Sequence, residues 1–306
     1  MQHCLIKPPM LRPGDTIGIA APASPFDQQA FEGGVAVLES MGYQVKVPAN
    51  VFMRQGYLAG SDPERAGLLT KLFEDESVKA IFCARGGFGS IKLLPLLQFR
   101  TISAHPKILV GYSDITTLLV TIYAGCGLVT FHGPVLTELG KGPEKSRSAL
   151  FDAIGSTTTL GFMPSRAVSL HPGRAAGPLF GGNLTSLCHL MGTPFEPRFE
   201  GHIVFLEDRG EAPYRIDRML SQLKLGGHLN GVVGVILGSF QDCGPLEQIH
   251  GIVKDAFRHT KCPILAGFDL GHGSENLTVP VGVKAVMDTE TCSLQFLEPA
   301  TSEANP

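Results

Sequence analysis

Through the first half of the chain, short apolar runs of strand type alternate with segments of helical period. Thr16–Ala20 reads as a buried strand, and helical periodicity over 26–41 follows it and stops at Gly42. Residues 43–47 alternate as a strand. Asp62–Glu74 reads as a helix with Asp62 as N-cap and Pro63 at its first position. Strands follow at 79–83, 108–110 and 128–131, with a helix after Ser113. This alternation predicts a mostly parallel sheet with helices on its flanks. In such sheets ligands bind beyond the C-terminal ends of the strands. The loops 21–25, 85–89 and 112–114, with the turn at His132-Gly133-Pro134, therefore mark the expected site edge.

The second half reads as Leu179-Phe-Gly-Gly-Asn183-Leu-Thr running into a helix, a strand over 202–206 ending at Glu207-Asp208, and a helix over 216–225. A continuous apolar strand at 232–237 follows, and 278–288 with 293–297 read as a terminal pair of strands. Between the halves, 141–147 is polar and 155–173 is turn-rich. These shifts divide the chain into an N-terminal α/β domain over 1–150, a link over 151–175 and a smaller mixed α/β domain over 176–306. The 306 residues are 43% hydrophobic and only 17% charged, enough for two packed cores and too apolar for disorder.

Ser113 lies where the apolar run Ile108-Leu-Val stops at Gly111 and a new pattern, Ile115, Leu118, Leu119, begins with helical spacing. A serine on so sharp a strand-to-helix turn exposes its hydroxyl and aims the first helical N–H groups at whatever the hydroxyl attacks. Beside this stands the reading of Ser113 or Asp114 as a plain N-cap. The G-x-S-x-G elbow is absent, because Ile115 replaces the second glycine. Glu207 follows an apolar strand, a position suited to orienting a histidine; the other reading is a solvated loop acid, as for its neighbour Asp208. His272 sits between two glycines in Gly271-His-Gly273, with His132 at a strand end and His189 on a helix face as competitors. Ser113, Glu207 and His272 could form a nucleophile, orienter and base.

Arg85-Gly-Gly-Phe-Gly89 fits neither the dinucleotide nor the P-loop pattern. It can be a plain turn, or a set of uncovered backbone N–H groups that holds an anion or oxyanion. A non-catalytic module with a nucleotide or anion seated there is the competing class. The net charge of -3 gives no basic face for nucleic acid, and no run approaches the roughly 18 apolar residues of a membrane span. The N-terminus shows no signal pattern, so the chain is expected to be cytoplasmic. Seven scattered cysteines without C-x-x-C, and no H-E-x-x-H, predict buried thiols, no metal and no cofactor.

Nine segments together resemble the L,D-carboxypeptidases, or muramoyl-tetrapeptide carboxypeptidases, a family of serine peptidases. In chain order they are Leu11-Arg-Pro-Gly-Asp-Thr, Ala21-Pro-Ala-Ser-Pro, Ala84-Arg-Gly-Gly-Phe-Gly, Gly111-Tyr-Ser-Asp, Phe131-His-Gly-Pro, Gly181-Gly-Asn-Leu-Thr, Leu206-Glu-Asp, Pro213-Tyr-Arg-Ile-Asp-Arg-Met-Leu and Gly271-His-Gly. The resemblance implies an N-terminal α/β domain, a C-terminal mixed α/β domain and an active site in the cleft between them. It implies Ser113 as nucleophile, Glu207 as orienter and His272 as base. It also implies an oxyanion hole from the backbone N–H of Gly86 or Gly87 together with that of Asp114. The implied reaction removes the terminal D-alanine of murein tetrapeptide, a small-molecule substrate, during cell-wall recycling. A related branch hydrolyses peptidyl or aminoacyl nucleotide antibiotics in self-immunity to microcin C. The Leu206-to-Arg215 segment looks more like the murein branch. A homodimer is left open.

Overall fold

The computed structural model describes residues 4–303. They form two compact units, one of residues 4–157, Leu277–Pro280 and 300–303, the other of Thr158–Asn276 and Val281–Pro299. In the first unit, β1 (Thr16–Ala20), α1 (Gln28–Ser40), β2 (Gln44–Lys46), α2 (Asp62–Glu74), β3 (Val78–Cys83), α3 (Phe99–Ala104), β4 (Ile108–Gly111), α4 (Thr116–Cys126) and β5 (Thr130–His132) follow one another. The helices α5 (Leu136–Leu139) and α6 (Glu144–Ile154) complete that stretch. The strands lie in the order β5-β4-β3-β1-β2, and the pairs β1–β2, β1–β3, β3–β4 and β4–β5 are parallel.

The strand order reverses between β1 and β3, a switch point at which the loops leaving the two strands part and open a crevice. Register brings the strand ends into one row: Ala20 faces Cys83, Phe82 faces Val110, and Gly111 faces His132. The four loops expected at the site edge therefore leave from the same side. The strands hold this row rigidly because their apolar residues are wholly buried: Ile17, Ile19, Ile81, Phe82, Leu109, Val110 and Phe131 show no exposed surface. Each large apolar side chain so buried contributes roughly 1.5–3 kcal/mol.

Helix α1 starts two residues later than its periodicity suggests, with the Asp27 side chain accepting from Ala30 N at 2.8 Å. Helix α2 has the expected bounds but a different cap. Ser61 is the N-cap, in a capping box with Glu64, and Asp62 is the first helical residue. Asp62, inside the helix, pairs with Arg65 at 2.5 Å.

The second unit holds β6 (Gly161–Phe162), β7 (Val168–His171), β8 (Arg174–Asn183), α7 (Leu184–His189), β9 (Ile203–Arg209), α8 (Pro213–Leu225), β10 (Gly234–Gln241), α9 (Leu246–Phe257) and β11 (Ile264–Ala266). After β12 (Val279–Val281) come β13 (Lys284–Asp288) and β14 (Ser293–Phe296). The sheet order is β6-β14-β13-β8-β9-β10-β11-β7. Its centre, β8 to β11, is parallel and its flanks are antiparallel, so the sheet is mixed. The turn-rich stretch at 155–173 thus contains two short strands. The single strand expected over 278–288 is two: β12 joins the first sheet beside β5, and β13 pairs with β14 as expected. The division falls at Gly282, whose backbone is left-handed at φ 98. No helix among the described residues is long and apolar enough to cross a membrane.

Candidate active site

Ser113 stands directly beyond β4 in a 3-10 turn over Ser113–Ile115, and α4 continues from Thr116. Its backbone is left-handed at φ 64, rare for a residue with a side chain. Such strain costs of order 1–3 kcal/mol and survives only where the surroundings impose it. Here Ile115 N donates to Tyr112 O at 3.2 Å to close the turn. A Cβ on Gly111 would stand 2.8 Å from Ile115 Cγ2, so only glycine lets the chain turn this tightly. The capping reading does not hold. Ile115 is the N-cap of α4 with no side-chain bond, and the Asp114 carboxylate instead accepts from Ser90 N at 2.8 Å.

The glycine loop after β3 lies against this turn. A Cβ on Gly86 would stand 2.9 Å from Ser113 Cβ and 3.2 Å from its Oγ, so the loop backbone itself abuts the hydroxyl. Gly87, at φ 106, packs on the side chain of Ser24, and Ser24 Oγ accepts from Phe88 N at 3.1 Å. Among the described residues the N–H groups of Gly86, Gly87 and Asp114 donate no hydrogen bond within the protein. Uncommitted amides beside a hydroxyl can receive a developing negative charge. His132, wholly buried, sets its ring edge-on to Tyr112 at 5.8 Å, and Tyr112 donates through its hydroxyl to Glu138. The residue before Ser113 is thereby pinned at both ends.

In the second unit Glu207 is not a loop acid. It lies within β9, wholly buried, opposite Asn183 of β8. Its Oε2 stands 2.7 Å from His272 Nδ1 and accepts the His272 backbone N–H at 3.1 Å. A carboxylate on Nδ1 leaves that nitrogen protonated and Nε2 with its lone pair, the tautomer a general base needs. The approach depends on Gly271, at φ 88: a Cβ there would run into the Glu207 carboxylate.

Asp208, expected as the neighbouring loop acid, is also buried. It accepts from Asn183 Nδ2 at 3.0 Å, Thr185 N at 2.9 Å, Thr185 Oγ1 at 2.8 Å and Arg209 N at 2.8 Å. Burial pushes its carboxyl above the ordinary range, against the pull of these hydrogen bonds. Both acids lie within the paired strand β9, and hydrogen-bond partners offset their burial. His189 ends α7 on the exposed side.

The structure thus brings Gly86, Ser113 and Asp114 together in one unit, with Gly87 next in the loop, and Glu207 with His272 in the other. It adds Arg65, buried in α2, whose guanidinium donates to Gly89 O at 3.0 Å and to Pro22 O. The sequence carried a signal for it: Arg65, Leu68, Leu69 and Leu72 share the spacing of one buried helical face. Among the described residues no group of three histidine, cysteine or acidic side chains could hold a metal ion.

The family model described as the LD-carboxypeptidase N-terminal domain matches residues 17–133, and that of the LD-carboxypeptidase C-terminal domain matches 176–287. A probable murein peptide carboxypeptidase of Bacillus subtilis is 42% identical over 294 residues, 92% of each chain. The crystal structure of an MccF-like protein from Bacillus anthracis superposes with a TM-score of 0.90 at 28% identity, covering 96% of this chain and 99% of that one. The structure of a muramoyltetrapeptide carboxypeptidase from Oxalobacter formigenes superposes with a TM-score of 0.82 at 27% identity, covering 95% and 100%.

Proposed function

This chain belongs to the LD-carboxypeptidase family, and from that premise we propose that it is a serine-type carboxypeptidase that releases the terminal D-alanine of murein tetrapeptide. The observation that carries the chemistry is Ser113 itself, held left-handed at φ 64 at the end of a parallel strand with the glycine loop against its hydroxyl. A serine that served only as a helix cap would need neither feature.

In this reading Ser113 Oγ attacks the carbonyl carbon of the bond between the L centre of the diamino acid and D-alanine. His272 takes the hydroxyl proton on Nε2. Glu207 keeps the proton on Nδ1 and stabilises the imidazolium as it forms. The N–H of Asp114 and one N–H from Gly86-Gly87 receive the oxyanion, each such donor being worth roughly 3–4 kcal/mol. The proton then passes from His272 to the departing amine of D-alanine. Water, deprotonated by the same imidazole, cleaves the acyl-enzyme and releases the tripeptide.

The murein substrate is favoured by the 42% identity to a relative named as a murein peptide carboxypeptidase. The closer superposition on an MccF-like protein speaks to the fold, which hosts both substrates and so selects neither. Acting on wall fragments returned for recycling, the enzyme would work in the cytoplasm.

The test is a product assay with purified protein on murein tetrapeptide, murein tripeptide and an aminoacyl nucleotide. Free D-alanine from the tetrapeptide alone is expected. Loss of a serine nucleophile costs up to about a millionfold in kcat, so a Ser113→Ala variant within about tenfold of wild type sinks the assignment. Faster cleavage of the aminoacyl nucleotide would reassign the substrate and leave the mechanism standing.

A further inference from the structure

One peptide unit in the glycine loop, that joining Gly89 to Ser90, is gripped from both polar sides by buried charges. Its carbonyl accepts from Arg65 Nη1 at 3.0 Å, and its N–H donates to Asp114 Oδ2 at 2.8 Å. Arg65 is 2% exposed and Asp114 7%. The same guanidinium donates to Pro22 O, donates through Nε to Gly60 O at 3.2 Å, and pairs through Nη2 with Asp62 at 2.5 Å. It therefore gathers carbonyls from the loop after β1, the loop before α2 and the loop after β3.

Packing alone does not ask for a cation here. The face of α2 that carries Arg65 is otherwise built of Leu68, Leu69 and Leu72, and a well-packed apolar residue in place of a buried charge is often neutral or stabilising. The planar fork supplies geometry that an apolar residue lacks, with several donors fixed in one plane and aimed at carbonyls that would otherwise move independently. Asp114 is covalently next to Ser113. The grip on Gly89–Ser90 thus ties the loop that carries Gly86 and Gly87 to the turn that carries the hydroxyl.

We propose that Arg65 and the carboxylate of Asp114 are positioning residues, which hold the glycine-loop N–H groups where the oxyanion forms beside Ser113. The proposal rests on the carboxypeptidase reaction set out above. Substrate binding does not use the oxyanion geometry fully, but the tetrahedral intermediate does, so the effect falls on kcat rather than KM.

The experiment measures kcat, KM, melting temperature and the affinity of a boronic acid transition-state analogue for wild type, Arg65→Met, Arg65→Lys and Asp114→Asn. Arg65→Met keeps the stem and removes the donors. A misplacement of about 1 Å costs on the order of 100-fold, so its kcat is expected to fall about 100-fold with KM within about threefold. The analogue should weaken by the same factor. Arg65→Lys, which can still reach part of the carbonyl set, should recover to within about tenfold of wild type, and Asp114→Asn should lie between.

A folded Arg65→Met with kcat within about threefold of wild type overturns the proposal, as does a lowered melting temperature with kcat and analogue affinity unchanged. If Arg65→Met does not fold, Arg65→Lys decides: a reduced kcat at unchanged KM supports the proposal, and a wild-type kcat overturns it. Fluorophosphonate labelling of Ser113 is run alongside. Absence of label, or activity in Ser113→Ala, overturns the reaction and this proposal together, whereas a wild-type-like Arg65→Met overturns this proposal alone.

Discussion

Glu207 spends a single oxygen, Oε2, on both the imidazole and the backbone N–H of His272, so ring and main chain are oriented by one atom. A glutamine at 207 can present its carbonyl oxygen to those donors, but it carries no charge to match an imidazolium. Glu207→Gln is expected to lower kcat by orders of magnitude with a smaller change in KM. For wild type, the rate should climb as pH rises and the imidazole of His272 loses its second proton, since only neutral imidazole accepts the serine proton. Steady-state kinetics as a function of pH check both, and a variant that retains wild-type kcat would remove Glu207 from the mechanism. At this scale the sharp turn at Ser113, the pairing of Glu207 with His272 and the close approach of the glycine loop had signals in the sequence, because glycines and a broken apolar run mark where backbone comes close to a side chain. Arg65 was not read, although its spacing placed it on a buried face, because an arginine is ordinarily assigned to solvent.

The elements were legible wherever the hydrophobic period was clean, as in β1, α2 and β4. They were misread where polar residues are buried with partners. The strand β9 runs on through Glu207 and Asp208, past the point where an apolar count stops. Asp208 serves the element after β8: it accepts from Thr185 at the start of α7, while Asn183 caps that helix through Ser186 N at 2.9 Å. Asp208→Asn turns an amide donor toward one of the donors that Asp208 now accepts from, and an unsatisfied buried group costs about 1–3 kcal/mol. A fall in melting temperature of about 2–4 °C per kcal/mol is expected, with kcat affected far less than in Glu207→Gln. Because burial holds the Asp208 carboxyl above its ordinary value of 3.8, the folded state keeps this proton more tightly than the unfolded chain does. The stability it contributes is full in acid below that value and declines as pH rises through the folded-state value. The gap between wild type and variant should therefore narrow from acid toward neutral pH; an unchanged melting temperature would return Asp208 to the role of a bystander.

Across the whole molecule the thiols report on integrity. Cys83, Cys126, Cys188, Cys243 and Cys262 are buried, while Cys4 is exposed and Cys292 is half-buried. Burial raises the buried thiols, Cys188 to about 12 and Cys243 to about 11, so at neutral pH they are protonated and unreactive. Titration with a chromogenic disulfide should modify Cys4 and Cys292 quickly and the remaining five only as the protein unfolds; rapid reaction of all seven would show that the two cores open readily. The two-part organisation was legible in the sequence from alternation and composition. The interleaving of the parts was not, because strand pairing between distant segments leaves no local period. That interleaving sets the order of assembly during synthesis. The first sheet takes β12 at its edge, and Met10 N and Ser302 N bind Ser302 O and Pro8 O, each at 2.9 Å. A nascent chain therefore carries an open β5 edge while Thr158–Asn276 of the second unit is translated, and the part that emerges first, which also takes in 300–303, is the part that finishes last.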